Sequence, residues 1–206
     1  MDINQSIKKK ILNFLLFLSL VGHSQLKKEL NECAVECADK KDFKCAIDYF
    51  TRVIEINPKD SIAYFDRAMM KEYLHDYKGA IDDYTKEIEI DSSNADNFFC
   101  RGIAYYHFKK YKEAIKDFNK MLSRESGNAD AFYYRGLSKK ELKNFNSALF
   151  DLNKAIELNG TVANYYLNRG ELKIKFGKKD SACKDFKVFK DLNGENAKYY
   201  LKQYCK

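Results

Sequence analysis

A unit of 34 residues runs five times through this chain without an insertion, from Lys27 to Asn196. The copies cover 27–60, 61–94, 95–128, 129–162 and 163–196. A fixed period of this length marks a stack of supersecondary units, each too small to bury its own apolar surface. The columns say what the unit is. Its twentieth place is Ala46, Ala80, Ala114, Ala148 and Ala182, and its eighth is Ala34, Ala68, Gly102, Gly136 and Gly170. Its fourth place is Leu30, Tyr64, Phe98, Phe132 and Tyr166, and its twenty-fourth is Phe50, Tyr84, Phe118, Leu152 and Phe186. Places four and eight stand one helical turn apart, as do twenty and twenty-four. Each pair joins a bulky side chain to a very small one, so two helices can cross closely where the small residues meet. Every unit is therefore read as a helix–turn–helix hairpin.

The hairpin turn falls at Lys40-Lys41-Asp42, His75-Asp76, Lys109-Lys110, Lys143-Asn144 and Gly177-Lys178. The second helix is expected to stop at Asn57-Pro58, Asp91-Ser92, Glu125-Ser126-Gly127, Asn159-Gly160 and Asn193-Gly194, where Gly and Asn accept a left-handed conformation and Pro cannot continue a helix. No alternating β-branched run is long enough for a strand. A last unit needs a lid, and 197–206 supplies one: Tyr200, Leu201 and Tyr204 share a face, with lysines on the other side.

Two further columns vary together. The seventh place is Cys33, then Arg67, Arg101, Arg135 and Arg169; the twenty-third is Tyr49, then Asp83, Asp117, Asp151 and Asp185. The first unit lacks both charges and the others have both, which predicts an Arg–Asp pair between the two helices of a unit. Such a repeated pair is structural rather than a ligand site.

These columns resemble the tetratricopeptide repeat family, with its 34-residue period, small eighth residue, Ala at twenty and aromatic at twenty-four. The chain departs from that pattern in having no Trp at the fourth place, in keeping the terminal proline only as Pro58, and in its arginines at the seventh place. The resemblance implies an all-α, right-handed α-solenoid, a superhelix of five hairpins closed by a capping helix. It also implies that the first helices line a concave groove which holds a peptide or partner segment. The groove residues expected are Phe65, Met69, Phe99, Ile103, Tyr106, Tyr133, Tyr134 and Leu137, an apolar and aromatic track suited to an apolar segment. The alternative is that these side chains pack between adjacent first helices. The family's clamp for chaperone tails uses Lys and Asn at inner places that here hold Asn31, Val35, Asp66, Asp96 and Cys100, so that mode is not expected.

Residues 1–24 lie outside the repeats. Lys8, Lys9 and Lys10 precede an apolar stretch from Ile11 to Val21, followed by Gly22-His23-Ser24. Charged, apolar and then small is the order of a secretory signal peptide, with a cut before Gln25. The stretch spans about 16 Å as a helix, too short for a bilayer core of about 30 Å. The expectation is export to a periplasmic or secreted location. Loss of the leader lowers the formal charge from +7 to +5, and residues 163–206 hold 11 Lys or Arg against 5 Asp or Glu. That basic end could touch anionic surfaces, although a solvated rim explains it equally well.

Export permits disulfides among the six cysteines. Cys37–Cys45 could staple the first hairpin and Cys183–Cys205 the lid, provided each Cα pair lies within about 7 Å. The alternative is that they are small buried apolar residues.

No catalytic constellation is visible. His75 and His107 have no nucleophile or acid partner in sequence, there is no glycine-rich phosphate loop, and no zinc spacing occurs. No cofactor, metal, nucleic acid or small-molecule substrate is expected. The function that follows is a non-enzymatic protein-interaction scaffold with a protein or peptide partner. The rivals are a structural or regulatory subunit of a cell-envelope complex and an accessory docked beside an enzyme.

Overall fold

The computed structural model describes residues 22–205; residues 1–21 of the expected leader lie outside them, whereas the expected cut before Gln25 falls within them. Residues 22–39 are helical and form α1 as described. Then follow α2 (Phe43–Ile56), α3 (Ser61–Tyr73), α4 (Tyr77–Ile90), α5 (Ala95–His107), α6 (Tyr111–Arg124), α7 (Ala129–Glu141), α8 (Phe145–Leu158), α9 (Ala163–Lys175), α10 (Lys179–Asp191) and α11 (Ala197–Tyr204). No strand occurs among the described residues. Four first helices begin at the first place of their units, and α11 is the expected lid. The contacts divide the chain into two compact units, one running through Ser92 and the other from Ser93.

Local chemistry sets the boundaries. Asp60 and Asn128 side chains accept the Ala63 and Ala131 amides to cap α3 and α7, and Asp42 and Asp76 do the same for α2 and α4. Within each hairpin one residue takes the left-handed conformation: Lys41, His75, Lys109 and Lys143 at φ 59–63°, and Gly177 at 69°. Only the last of these is glycine, so four units hold a side chain where a glycine would be freer. Between units the expectation fails. Asn57, Asp91, Glu125 and Asn159 end their helices with extended φ from −129° to −145°. Left-handed residues stop a second helix only at Asn193, before the lid.

The small-residue columns behave as read. Ala46, Ala80, Ala114, Ala148 and Ala182 are all fully buried. In the third and fifth repeats the place-24 ring lies on the place-8 glycine. A Cβ on Gly102 would stand 2.7 Å from Phe118, and one on Gly170 2.6 Å from Phe186. Ala114→Leu should therefore overpack its hairpin and cost about 1–3 kcal/mol. Ser147→Leu, on an exposed position, should cost almost nothing. Denaturant midpoints measure both, and equal stability would contradict the column assignment.

Each Asp of the twenty-third place is buried and held by its Arg through two bonds. The Arg135 Nε and Nη2 atoms donate to Asp151 at 2.9 and 2.8 Å, and the pairs Arg67–Asp83, Arg101–Asp117 and Arg169–Asp185 repeat this. A third group joins at the eleventh place. Lys71, Lys139 and Lys173 meet Asp83, Asp151 and Asp185 at 2.7–2.8 Å. The same arginines reach back one hairpin: Arg67 to Thr51 Oγ1, Arg135 to Asn119 and Arg169 to Asn153. One cation thus binds the second helices of two consecutive hairpins.

The first hairpin replaces this clamp covalently. Its eleventh place is Cys37, bonded to Cys45 with the Cα atoms 5.8 Å apart. Cys183 and Cys205 join α10 to the lid at a Cα separation of 5.6 Å. One disulfide joins the two helices of the first hairpin and the other joins α10 to the lid, and each loop closure adds about 2–4 kcal/mol.

Candidate functional site

A first helix has one face against its second helix and another turned away. On α3 the packed side carries Ala63, Ala68 and Met70, all buried. Counting 100° per residue, the opposite stripe is Ile62, Asp66, Met69 and Tyr73. Ile62 is 70% exposed and Tyr73 58%, the latter stacked at 4.6 Å on Phe43. The same places on α1 are Lys28, Glu32, Val35 and Asp39, all exposed, with Val35 at 52%. A cavity of about 630 Å³ lies along this side of α1, past Asn31, Val35 and Asp39. Phe65 leans to the edge of the stripe, 5.6 Å from Tyr84.

Two carboxyls in this unit sit partly out of water. Burial pushes Asp66 up from the ordinary carboxylate range, and the nearby Asp60 charge adds to it. Burial also raises Glu72, against the pull of the Tyr84 hydroxyl, which donates to it at 2.8 Å.

In the compact unit from Ser93 onward the corresponding residues are used up by one another. Tyr134 lies 6.2 Å from Phe99, 5.8 Å from Tyr106, 5.3 Å from Tyr133 and 6.2 Å from Phe118. Tyr133 in turn stacks on Tyr165 at 4.7 Å. Ile103 is half-buried, and Leu137 is only 8% exposed and offers little to a partner. A polar network closes the far end. Lys140 donates to Asn168 and pairs with Glu171 at 2.7 Å, Asn168 donates to the Tyr133 hydroxyl, Tyr200 donates to Glu171, and Tyr165 donates to Asp130. Burial drives the Tyr133 and Tyr165 phenols far up, and Asp130 reinforces this at Tyr165, so both hydroxyls stay protonated. These groups satisfy each other and tie α7, α9 and α11 together. Beside them a cavity of about 590 Å³ opens between α9 and the lid, lined by Asn164, Leu167, Phe189 and Tyr200.

Of the eight residues expected to line a groove, Phe65 and Met69 thus border an open face, whereas the other six belong largely to a packed ladder. Ile62 and Tyr73, not among those eight, are exposed on the same face of α3. The arginines are internal clamps. His75 bonds the Tyr77 hydroxyl through Nδ1, and the His107 ring abuts Tyr106. Among the described residues no group of three metal-ligating side chains gathers, and no helix is long and apolar enough to cross a membrane.

A family model described as tetratricopeptide repeat matches residues 129–161, the fourth unit. No curated protein sequence matches the chain. Solved structures do match in fold. MamA from Desulfovibrio magneticus RS-1 superposes with a TM-score of 0.78 at 16% identity, over 83% of this chain and 97% of that one. The structure of Pseudomonas aeruginosa pilF gives 0.73 at 21% identity, over 87% and 82%. YrrB, described as a TPR protein with an unusual peptide-binding site, gives 0.70 at 16% identity, over 82% and 88%. The fourth unit thus matches the tetratricopeptide repeat model, the other four units share its 34-residue period, and the fold is the one seen in these solved structures.

Proposed function

We propose that this chain is a non-enzymatic interaction scaffold that captures a segment of a protein partner on the free faces of its first helices. The observation that carries this is the exposure of Ile62 and Tyr73 on a helix that buries Ala63, Ala68 and Met70. Exposed apolar stripes of this kind mark contact surfaces. The fold is one that, in YrrB, accompanies a peptide-binding site.

We also place the mature protein outside the cytoplasm, cut before Gln25. The buried residues of the first hairpin begin at Leu30, so such a cut leaves the fold whole. Two disulfides in terminal elements suit an oxidising compartment. Amino-terminal sequencing of the native protein checks the cut, and an intact Met1 would refute it.

A second reading has its own support. Phe150 is 58% exposed on α8, a second helix, as a subunit held by its second helices in an envelope complex would require. Crosslinked capture of the tagged protein from its own cells separates the two. Ile62→Ser with Tyr73→Ser should lose the partner and keep the helical circular dichroism signal. Phe150→Ala should retain it. The opposite pattern favours the envelope subunit and overturns the free-face reading.

A further inference from the structure

We infer that the free face of α3, in the compact unit that runs through Ser92, takes an apolar segment carrying Lys or Arg. This rests on the reading above and adds the charge of the occupant. Asp66 stands between Ile62 and Met69 on one stripe, so any segment that covers those two apolar side chains also covers the carboxylate. No described cation meets it. Lys71 is spent on Asp83, Lys27 on Asp60, Lys28 lies against Glu32 and Lys40 against Glu36. Asp39 at the end of the α1 stripe likewise carries no cation, although the chain as a whole has a formal charge of +7. The surplus lysines lie elsewhere, most of them in residues 163–206.

Covering an ionised carboxylate with hydrocarbon removes its water and is strongly unfavourable unless the cover supplies a counter-charge. Asp66 is already half-buried and close to the Asp60 charge, so little of its hydration remains to be lost without compensation. A segment with a lysine or arginine opposite Asp66 meets that demand. An acidic segment adds like-charge repulsion from Glu32, Asp39 and Asp66.

The test uses the folded mature chain and two labelled amphipathic peptides, one built of Leu, Ala and Lys and its twin with Glu for Lys. Fluorescence anisotropy should show the Lys peptide binding about tenfold tighter or more, with affinity falling as salt rises. Asp66→Asn should remove most of that preference, and Asp66→Leu should raise affinity for a third peptide of Leu, Ala and Ser. Equal binding of the Lys and Glu twins, a Glu preference, or a Lys preference that survives Asp66→Asn would each overturn the inference. Ile62→Ser with Tyr73→Ser tells the two readings apart. If that variant abolishes binding of an uncharged or acidic peptide, the free face is a docking surface and only the charge assignment fails. If no peptide is lost with it, the face itself is not the site.

Discussion

Asp151→Ala is expected to destabilise the protein by about 3 kcal/mol, lowering the melting temperature by roughly 6–12 °C. Asp151 is fully buried and is held by both Arg135 and Lys139. Truncation leaves two cations facing a site with no anion, and each must turn toward water or stay unpaired. Their side chains are 14% and 20% exposed, so a partial escape exists, and the expected cost stays at the low end for broken buried pairs. The third hairpin supplies an internal control. Tyr105 stands there in place of the lysine, and Asp117 pairs with Arg101. Asp117→Ala orphans one cation fewer and should cost less. Replacing the whole clamp with apolar groups, as Arg135→Met, Lys139→Met and Asp151→Leu together, should recover most of the loss, because the damage comes from the unpaired charge rather than from the missing attraction. Urea melts decide this. A triple variant as unstable as Asp151→Ala would mean that the carboxylate matters for its own contacts, not as a counter-ion.

Much of this architecture can be read in the sequence because a repeat performs its own comparison. The alanine column needed no alignment beyond the chain itself, and the joint loss of Arg and Asp in the first unit gave away their pairing. The lysine at the eleventh place was legible by the same logic, since Cys37 and Tyr105 interrupt it as Cys33 interrupts the arginines, yet three lysines on a lysine-rich chain carry little contrast. The two disulfide pairings could be drawn because both join neighbouring elements of a hairpin or lid. Left-handed residues were misplaced for a physical reason. Glycine and asparagine advertise that conformation, but at Lys41, Lys109 and Lys143 the hydrogen bonds that close the hairpin impose it on a residue without the preference. The candidate site was half legible. The residues expected in the groove include side chains that lean on a neighbouring ring, as Phe65 does on Tyr84 and Phe99 on Phe118 at 6.0 Å. Which side chains a stacked neighbour then covers depends on packing between hairpins, and that is not written in any single unit.

Phe186→Ala should cost about 3–5 kcal/mol, with the loss concentrated at the carboxyl end. The ring is fully buried. It fills the space over Gly170 and faces Tyr200 at 5.3 Å and Tyr204 at 5.9 Å, so one side chain joins α9, α10 and the lid. Without it α11 stays attached through Cys183–Cys205 but loses the surface it docks on. Amide exchange should quicken across α10 and α11 and stay slow in α5 and α6, because repeats share stability mainly with their neighbours. A coupled change sharpens the test. In the native protein Gly170→Ala sets a methyl 2.6 Å from a ring carbon of Phe186 and should be destabilising. In the Phe186→Ala background that methyl enters vacated space, and the helix gains about 1 kcal/mol from losing a glycine. The same substitution should therefore change sign between the two backgrounds. If Gly170→Ala has one effect in both, the ring is not what keeps that place small, and the reading of the eighth and twenty-fourth columns as a fitted pair fails with it.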